Sequence, residues 1–274
     1  MTDVAHERRP AAAGRAVGSA RAAFLVVEAM WTWYRRNWRS TAVSSVIQPM
    51  LYLAAIGFGL GSQVTPGAAT GGMRYVEYLA PALLVMGAMQ NAIGESTFPV
   101  LSAFKWQRNY WAMTASPITP GQVLGGQLCW IGLRLFASGI AYLVVAAALG
   151  VLTGPGVLLS LVFAALAGMA LCAPVVAFTA TIESEGQVFN VLFRFVLMPM
   201  TLLAGTFFPV SQLPSWLRPV AWLTPLWHGT ELARGAAFGT LRLLPALGHV
   251  AYLAALGALG AVLAVRLFRR RLAR

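Results

Sequence analysis

Six runs of apolar residues, each long enough to cross a membrane as a helix, alternate along the chain with shorter mixed segments. A hydrocarbon core of ~30 Å needs ~20 apolar residues in α-helical form. The alternating ten-residue segments typical of a membrane β-barrel are absent from the sequence. The pattern predicts an all-α integral membrane protein with six transmembrane helices, over about residues 43–61, 75–98, 121–149, 157–181, 188–208 and 246–267.

Two of the mixed segments have the pattern of amphipathic helices. In residues 21–39, apolar side chains recur at spacings of three and four, which predicts an N-terminal helix lying on the membrane surface. This helix is either a simple anchor or an elbow that braces a transport domain. Residues 99–120 begin with a second short amphipathic helix, and Thr119 followed by Pro120 predicts the start of the next span. Their aromatic side chains favour a docking surface for a cytoplasmic protein, with an interfacial anchor as the alternative.

The third mixed segment follows span five and carries too many prolines for a spanning helix. Its prolines are Pro209, Pro214, Pro219 and Pro225. It is also too apolar for a free loop, since Trp216, Trp222 and several leucines lie between them. A re-entrant pair of short helices over residues 209–237 satisfies both features, because non-helical backbone at membrane depth must be covered by protein or line a water-filled cavity.

The charge composition excludes a soluble protein and sets the direction of the chain. Of 274 residues, 58% are hydrophobic and 10% are charged, whereas a soluble domain has about 25% charged residues. The net charge of +12 is compatible with nucleic-acid binding. However, with a cytoplasmic N-terminus, 14 of the 20 basic residues fall on the inner side and 4 on the outer side. The surplus therefore indicates cytoplasmic N- and C-termini and no nucleic-acid partner.

The sequence offers no constellation for catalysis or metal binding. The three histidines lack metal-ligand spacing, and the P-loop pattern G-x-x-x-x-G-K-[ST] is absent. Two arginines, Arg134 and Arg194, lie inside predicted spans, where a charge should face protein or water. Each either pairs with a carboxylate to fix helix packing or lines a path for a polar substrate. For Arg194, pairing with Glu183 or Glu185 is the favoured interpretation.

Two stretches of the sequence carry a resemblance to a known family. They are AMTASPITPGQVLGGQLCWIGLRLF and FNVLFRFVLMPMTLLAGTFFPVSQLPSWLRPVAWLTPLWHGTELARG. Over nearly its whole length after residue 21, the chain resembles the permeases of type-2 ABC exporters. Within that superfamily it is most similar to the lipooligosaccharide or nodulation-type and daunorubicin-type export permeases.

The resemblance assigns roles along the chain. Residues 1–20 would be a flexible cytoplasmic tail, and 21–274 a single permease domain. Within it, residues 21–39 would be the connecting helix, 99–120 the coupling-helix loop and 209–237 the external hairpin. The residues implied to couple to an ATPase are Leu101, Phe104, Lys105, Arg108, Glu183 and Glu185. Those expected to line the substrate path or its gate are Arg134, Arg194, Phe207, Phe208, Trp216 and Trp222.

The resemblance also implies partners and a substrate. Two copies of a cytoplasmic ATPase would bind ATP and Mg²⁺, so the chain itself would be a transport subunit without cofactor or metal and not an enzyme. A second permease copy, in a homodimer or a heterodimer, would complete the exporter in the bacterial inner (plasma) membrane. The implied substrate is an amphipathic glycolipid, such as a lipooligosaccharide or a polysaccharide-linked lipid. A drug-efflux permease of the same superfamily is the alternative, and a membrane-embedded enzyme or scaffold is the alternative of a different class.

Overall fold

The computed structural model describes residues 18–59 and 72–273, and the elements within these ranges are all helical. The helices are α1 (Ser19–Tyr52), α2 (Tyr75–Ser96), α3 (Phe98–Lys105), α4 (Asn109–Thr114), α5 (Pro120–Ala148), α6 (Val157–Thr179), α7 (Val188–Leu192), α8 (Met198–Leu203), α9 (Arg218–Trp222), α10 (Pro225–Ala237) and α11 (Leu243–Leu272). The predicted all-α fold is confirmed for this part of the chain. Most of the predicted N-terminal tail, the end of the first predicted span and Arg274 lie outside the described residues.

Several helices have the length and composition of membrane spans. Among the described residues, α5, α6 and α11 are each long and apolar enough to cross a membrane. The helix α2 covers the second predicted span. The fifth predicted span consists of α7, a π-helical segment at Phe193–Leu197 and α8, which together form a shorter apolar helix.

The first helix differs from the prediction. The predicted connecting helix and the first part of the predicted first span form one α-helix, α1, which passes without a break into a π-helical segment at Leu53–Gly59. The N-terminal half of α1 packs along α5, where Val26 contacts the position of Gly126 so closely that a Cβ on this glycine would lie 2.6 Å from Val26 Cγ1. The change from mixed to apolar composition therefore does not mark a helix boundary here.

Helix α6 lies at the centre of the bundle and packs against α2, α5, α10 and α11. Glycines permit the close approach of these neighbours. A Cβ added at Gly168 would lie 2.8 Å from Leu135 and 3.2 Å from the Ala88 carbonyl oxygen. A Cβ at Gly229 of α10 would lie 2.6 Å from Ala167 Cβ. Small residues at helix contacts are the usual means by which membrane helices pack closely.

Local signals in the sequence fix the helix starts on either side of this bundle. The Thr119 hydroxyl accepts a hydrogen bond from the backbone N–H of Gln122 (3.4 Å), and Pro120 is the first residue of α5, as predicted. The Thr224 hydroxyl accepts one from the backbone N–H of Trp227 (3.3 Å), with Pro225 opening α10. Between α8 and α10, the segment contains a 3-10 turn at Val210–Gln212 and the short α9, so short helices interrupted by prolines are present where the hairpin is predicted.

Candidate functional site

The candidate coupling region is a pair of short helices, α3 and α4, that connects α2 with α5. Leu101 is fully buried in a small cluster with Ile182 and Phe189, next to the end of α6. The Phe104 ring is also buried, and it packs edge-on against Tyr110 (4.8 Å between ring centroids) and Phe268 (4.7 Å). These two predicted coupling residues therefore face the protein interior, and they anchor α3 to the turn after α6, to α7 and to α11.

The surface of this region is the junction between α3 and α4 together with the neighbouring turn at residues 183–185. Lys105 Nζ lies 3.9 Å from a carboxylate oxygen of Glu185, so the structure brings together two predicted coupling residues from distant parts of the sequence. Residues 106–109 and 183–185 are exposed. Arg108 has a φ of 53°, an uncommon conformation for a residue with a side chain, and it turns the chain between the two helices. We call residues 105–109 and 183–185 the coupling surface.

The end of α11 ties this surface to the helix bundle. Arg271 Nη1 donates hydrogen bonds to the carbonyl oxygens of Thr179 and Ala180, each at 3.1 Å. These are among the last carbonyls of α6, where a basic side chain is favourable. The same guanidinium lies 4.3 Å above the Phe104 ring. The ends of α6 and α11 and the start of the coupling region therefore form one packed unit.

Arg134 lies beside the coupling region and has a carboxylate partner. Its guanidinium forms an ion pair with Glu95 of α2, with the side chains 13% and 16% exposed. The guanidinium also lies 4.9 Å from the centroid of the Tyr34 ring, on α1. Opposite charges that are largely removed from water stabilise one another more strongly than a surface pair. The pair thus joins α1, α2 and α5 at one position.

Both charged groups face a cavity of 780 Å³ between α1, α3, α4 and α5. Its walls combine aromatic rings with amide and hydroxyl groups: Ala29, Met30, Trp33, Tyr34, Glu95, Phe98, Pro99, Ser102, Ala103, Trp106, Gln107, Asn109, Tyr110, Ala112, Met113, Gln127, Trp130 and Arg134. The volume falls within the range of ~300–1,000 Å³ found for small-molecule pockets. The coupling region therefore forms one wall of a chamber large enough for a ligand.

The predicted gate residues do not all lie together. Tyr75, at the start of α2, donates a hydrogen bond to the Phe207 carbonyl oxygen (2.9 Å). Since Glu95 lies twenty residues along the same helix, about 30 Å at 1.5 Å per residue, Phe207 and Arg134 occupy opposite ends of the bundle. Phe208, Trp216 and Trp222 follow Phe207 in the segment between α8 and α10 and are 36%, 73% and 49% exposed.

Arg194 lies in the π-helical segment between α7 and α8, and it is exposed. Of its two favoured carboxylate partners, Glu185 contacts Lys105. A single π-turn inside an α-helix is frequently found at functional sites.

Arg234 of α10 is a buried arginine that sequence reasoning placed only among the outer basic residues. It is 7% exposed and donates hydrogen bonds to the carbonyl oxygens of Gly205 and Thr206, both at 2.8 Å, and of Tyr78 at 3.3 Å. Its guanidinium stacks 3.8 Å from the centroid of the Tyr78 ring. Arg234 therefore fixes the turn after α8 against α2 and α10. The residues next to Arg234 in the sequence gave no signal of this burial.

Two histidines that lack metal-ligand spacing form a contact between α10 and α11. The Nδ1 atoms of His228 and His249 lie 2.7 Å apart, and His228 Nε2 lies 2.9 Å from the Trp222 carbonyl oxygen. A carbonyl only accepts, so Nε2 of His228 is the donor there. In the neutral form its Nδ1 is then the acceptor, and the proton between the rings belongs to His249. Both rings adjoin Trp227, and His228 stacks on Tyr252 (3.9 Å).

Comparison with known proteins places this architecture in a family. The ABC-2 type transporter family matches residues 21–238. Nodulation protein J of Sinorhizobium fredii (strain NBRC 101917 / NGR234) is 31% identical over 253 residues, covering 88% of this chain and 94% of the relative. Nodulation protein J of Rhizobium meliloti (strain 1021) is 29% identical, with the same coverage. The inner membrane transport permease YadH of Escherichia coli (strain K12) is 26% identical over 70% of this chain and 73% of its own length. The chain belongs to the ABC-2 type transporter family and is a membrane permease.

Proposed function

We propose that this chain is the permease subunit of an ATP-driven exporter and that a separate cytoplasmic ATPase docks on the coupling surface. The observation that carries this proposal is the contact between Lys105 and Glu185, which unites two exposed loops at one end of the bundle. A protein that docks there would contact α3 and the turn after α6 at the same time.

The packing behind this surface can transmit a force from the docked ATPase to the helix bundle. Leu101 and Phe104 are buried against the ends of α6 and α11, so they position α3 and do not themselves contact the ATPase. Arg271 links the same three elements through hydrogen bonds and its contact with the Phe104 ring. A push on the exposed junction is therefore transmitted to two long helices. Nucleotide chemistry, with ATP and Mg²⁺, belongs to the ATPase.

The proposed topology has six spans with both termini in the cytoplasm. The helices α5, α6 and α11 account for three spans by length and composition. We assign the other three to α1 with its π-helical extension, to α2, and to the α7–α8 unit. The arginines at the end of α11 adjoin the coupling region, which supports a cytoplasmic position for both. Residues 209–237 are then the re-entrant external hairpin.

The proposed exporter contains two permease chains and two ATPases in the bacterial inner membrane. The exposed apolar residues of the α7–α8 unit, among them Phe195, Met198 and Leu202, support a second permease copy as the neighbour of this face. Arg194 lies on the same unit, so in such a dimer it would face the substrate path. We favour a homodimer, and a heterodimer with a related permease is the alternative.

The proposed substrate is an amphipathic glycolipid, a lipooligosaccharide or a polysaccharide-linked lipid. Exposed aromatic residues of the outer segment, Phe208, Trp216 and Trp222, support an outer gate that accepts an amphipathic molecule. A hydrophobic drug would use the same surfaces and is the second candidate. A membrane-embedded enzyme or scaffold would lack any dependence on an ATPase.

Co-purification with the cognate ATPase tests the docking surface. We expect the charge-reversed double variant Lys105→Glu/Arg108→Glu to lose most of the bound ATPase, because two cations of the coupling surface change sign. The matched control is Arg35→Glu/Arg36→Glu, which makes the same charge change on exposed residues of α1. Undiminished ATPase binding by the first variant, or an equal loss in the second, would remove the coupling surface from the proposal.

A further inference from the structure

We propose that the 780 Å³ cavity between α1, α3, α4 and α5 binds the headgroup of a lipid from the inner leaflet, and that this headgroup is uncharged and rich in hydroxyl and amide groups. The inference rests on the proposed export function, since it identifies this lipid with the exported substrate. It assigns Glu95 and Arg134 the role of hydrogen-bonding partners of the headgroup.

The charges of the cavity favour an uncharged headgroup. Of its lining residues, all within the described ranges, Glu95 and Arg134 are the charged ones, and they form an ion pair with each other. An anionic group approaching Arg134 also meets the Glu95 carboxylate, and a cationic group approaching Glu95 meets the guanidinium. A hydroxyl or amide group suffers neither repulsion, because it can accept from the guanidinium and donate to the carboxylate.

The aromatic residues of the cavity favour a flat headgroup with apolar faces, such as a sugar ring. The rings that line it are those of Trp33, Tyr34, Trp106, Tyr110 and Trp130, of which Tyr110 and Trp130 are buried and the other three are at least partly exposed. Trp33 and Trp106 are 56% and 51% exposed, so a large part of each side chain is not buried in the core. The C–H faces of a sugar ring pack on such side chains while its hydroxyls reach polar partners, which combines the two properties of an aromatic side chain at an interface.

The position of the cavity favours a lipid as the molecule that carries this headgroup. Tryptophan is enriched at the headgroup level of membranes, and three of the five rings are tryptophans. Trp130 lies at the back of the cavity, where it contacts Tyr34 edge-on (5.5 Å) and Trp31 (6.4 Å). One wall of the cavity is α1 and another is formed by α3 and α4. A bound headgroup would therefore contact the connecting helix and the coupling region together.

Photolabelling of the full-length chain in lipid nanodiscs tests the site. The probes are glucosyl diacylglycerol, phosphatidylcholine and phosphatidylglycerol, each with a diazirine at the same position close to the headgroup, and labelled peptides are mapped by mass spectrometry. We expect the glucosyl probe to label the cavity peptides about five-fold more than either phospholipid probe. This ratio corresponds to a preference of less than one decade in affinity. We expect Glu95→Gln/Arg134→Gln to remove this excess.

A matched control comes from a second Arg–Glu pair at the other end of α2, Arg74 and Glu77. The variant Arg74→Gln/Glu77→Gln should label like the wild type. Glu95 and Arg134 join three helices, so replacing them can also disturb the helix packing. Trp106→Ala avoids this problem, because Trp106 is an exposed residue of the same cavity and its loss leaves the packed core intact. It should also lower the excess labelling by the glucosyl probe.

Equal labelling of the cavity by the three probes, labelling dominated by either phospholipid, or unchanged labelling in Trp106→Ala would overturn the proposal. The measurement needs neither ATP nor ATPase. Loss of the glucosyl preference with intact ATPase co-purification therefore rejects this site alone. A preserved preference in a chain that binds no ATPase rejects the export function and leaves the lipid site standing.

Discussion

Substitution of the buried Arg234 tests how the turn after α8 is stabilised. In Arg234→Met, a side chain of similar length remains, but the carbonyl oxygens of Gly205 and Thr206 lose their donor. The third acceptor, Tyr78, lies farther from the guanidinium, at 3.3 Å, and its loss matters less. The perturbation is therefore a loss of polar partners within a buried site with little change of volume.

The magnitude follows from the two short hydrogen bonds. Leaving a buried acceptor without a partner costs about 1–3 kcal/mol, and two such acceptors cost about 2–6 kcal/mol. Part of this loss of stability is offset, because folding of the variant no longer transfers a charged guanidinium from water into the protein interior. A net loss of about 3 kcal/mol is expected, and at about 2–4 °C per kcal/mol for a chain of this size class the melting temperature should fall by about 6–12 °C.

The assay is thermal unfolding of the purified protein in detergent, followed by tryptophan fluorescence. Arg234→Lys retains the charge but not the planar fork, and should fall between wild type and Arg234→Met. Arg242→Met removes an exposed arginine just before α11 and should change the melting temperature by less than about 2 °C, as surface substitutions generally do. A melting temperature for Arg234→Met within about 2 °C of the wild type would refute the assigned role.

Three further predictions concern the core, the histidine contact and α3. Gly229→Val overfills the contact with Ala167 and should cost about 1–3 kcal/mol in thermal unfolding, while Gly248→Val, where the space is open, should not. Burial, and then His249, lowers the pKa of His228 on α10 from 6.5 to about 4. The unfolded chain therefore binds more protons, so thermal stability should fall as the pH drops from 6.5 towards 4, and less steeply in His228→Gln. Leu101→Ala should cost about 2–4 kcal/mol and lower ATPase co-purification, whereas the exposed Leu133→Ala should do neither.

The helices that begin at strong local signals were predictable from the sequence. Thr119 and Pro120 set the start of α5 because a hydroxyl caps the first turn and proline needs no donor there. Similarly, the second predicted span starts at residue 75, where α2 starts at Tyr75. In both cases the information lies within a few residues.

Features that depend on tertiary contacts were not predictable. The periodicity of α3 shows an apolar face with Leu101 and Phe104, but an apolar face packs equally well against a partner or against the same chain. The structure places Leu101 against Ile182 and Phe189, and Phe104 against Tyr110 and Phe268 of the same chain. The carboxylate partner of Arg134 is Glu95, which lies in another predicted span. The position of Arg134 within its own span did not predict which carboxylate it contacts. Likewise, a composition boundary near residue 40 says nothing about whether a helix continues through it, as α1 does.

Because α1 is continuous, occupation of the cavity and movement of the first apolar run are coupled. Its residues from Ala29 to Tyr34 form a wall of the cavity, and its last residues belong to the first apolar run. At about 1.5 Å per residue, the helix is a rod of about 50 Å with the cavity wall on one half and, in the proposed topology, the first membrane span on the other. Any tilt of the rod that changes the span also changes the cavity. By linkage, occupation of the cavity and the position of the first span must then bias each other by the same free energy.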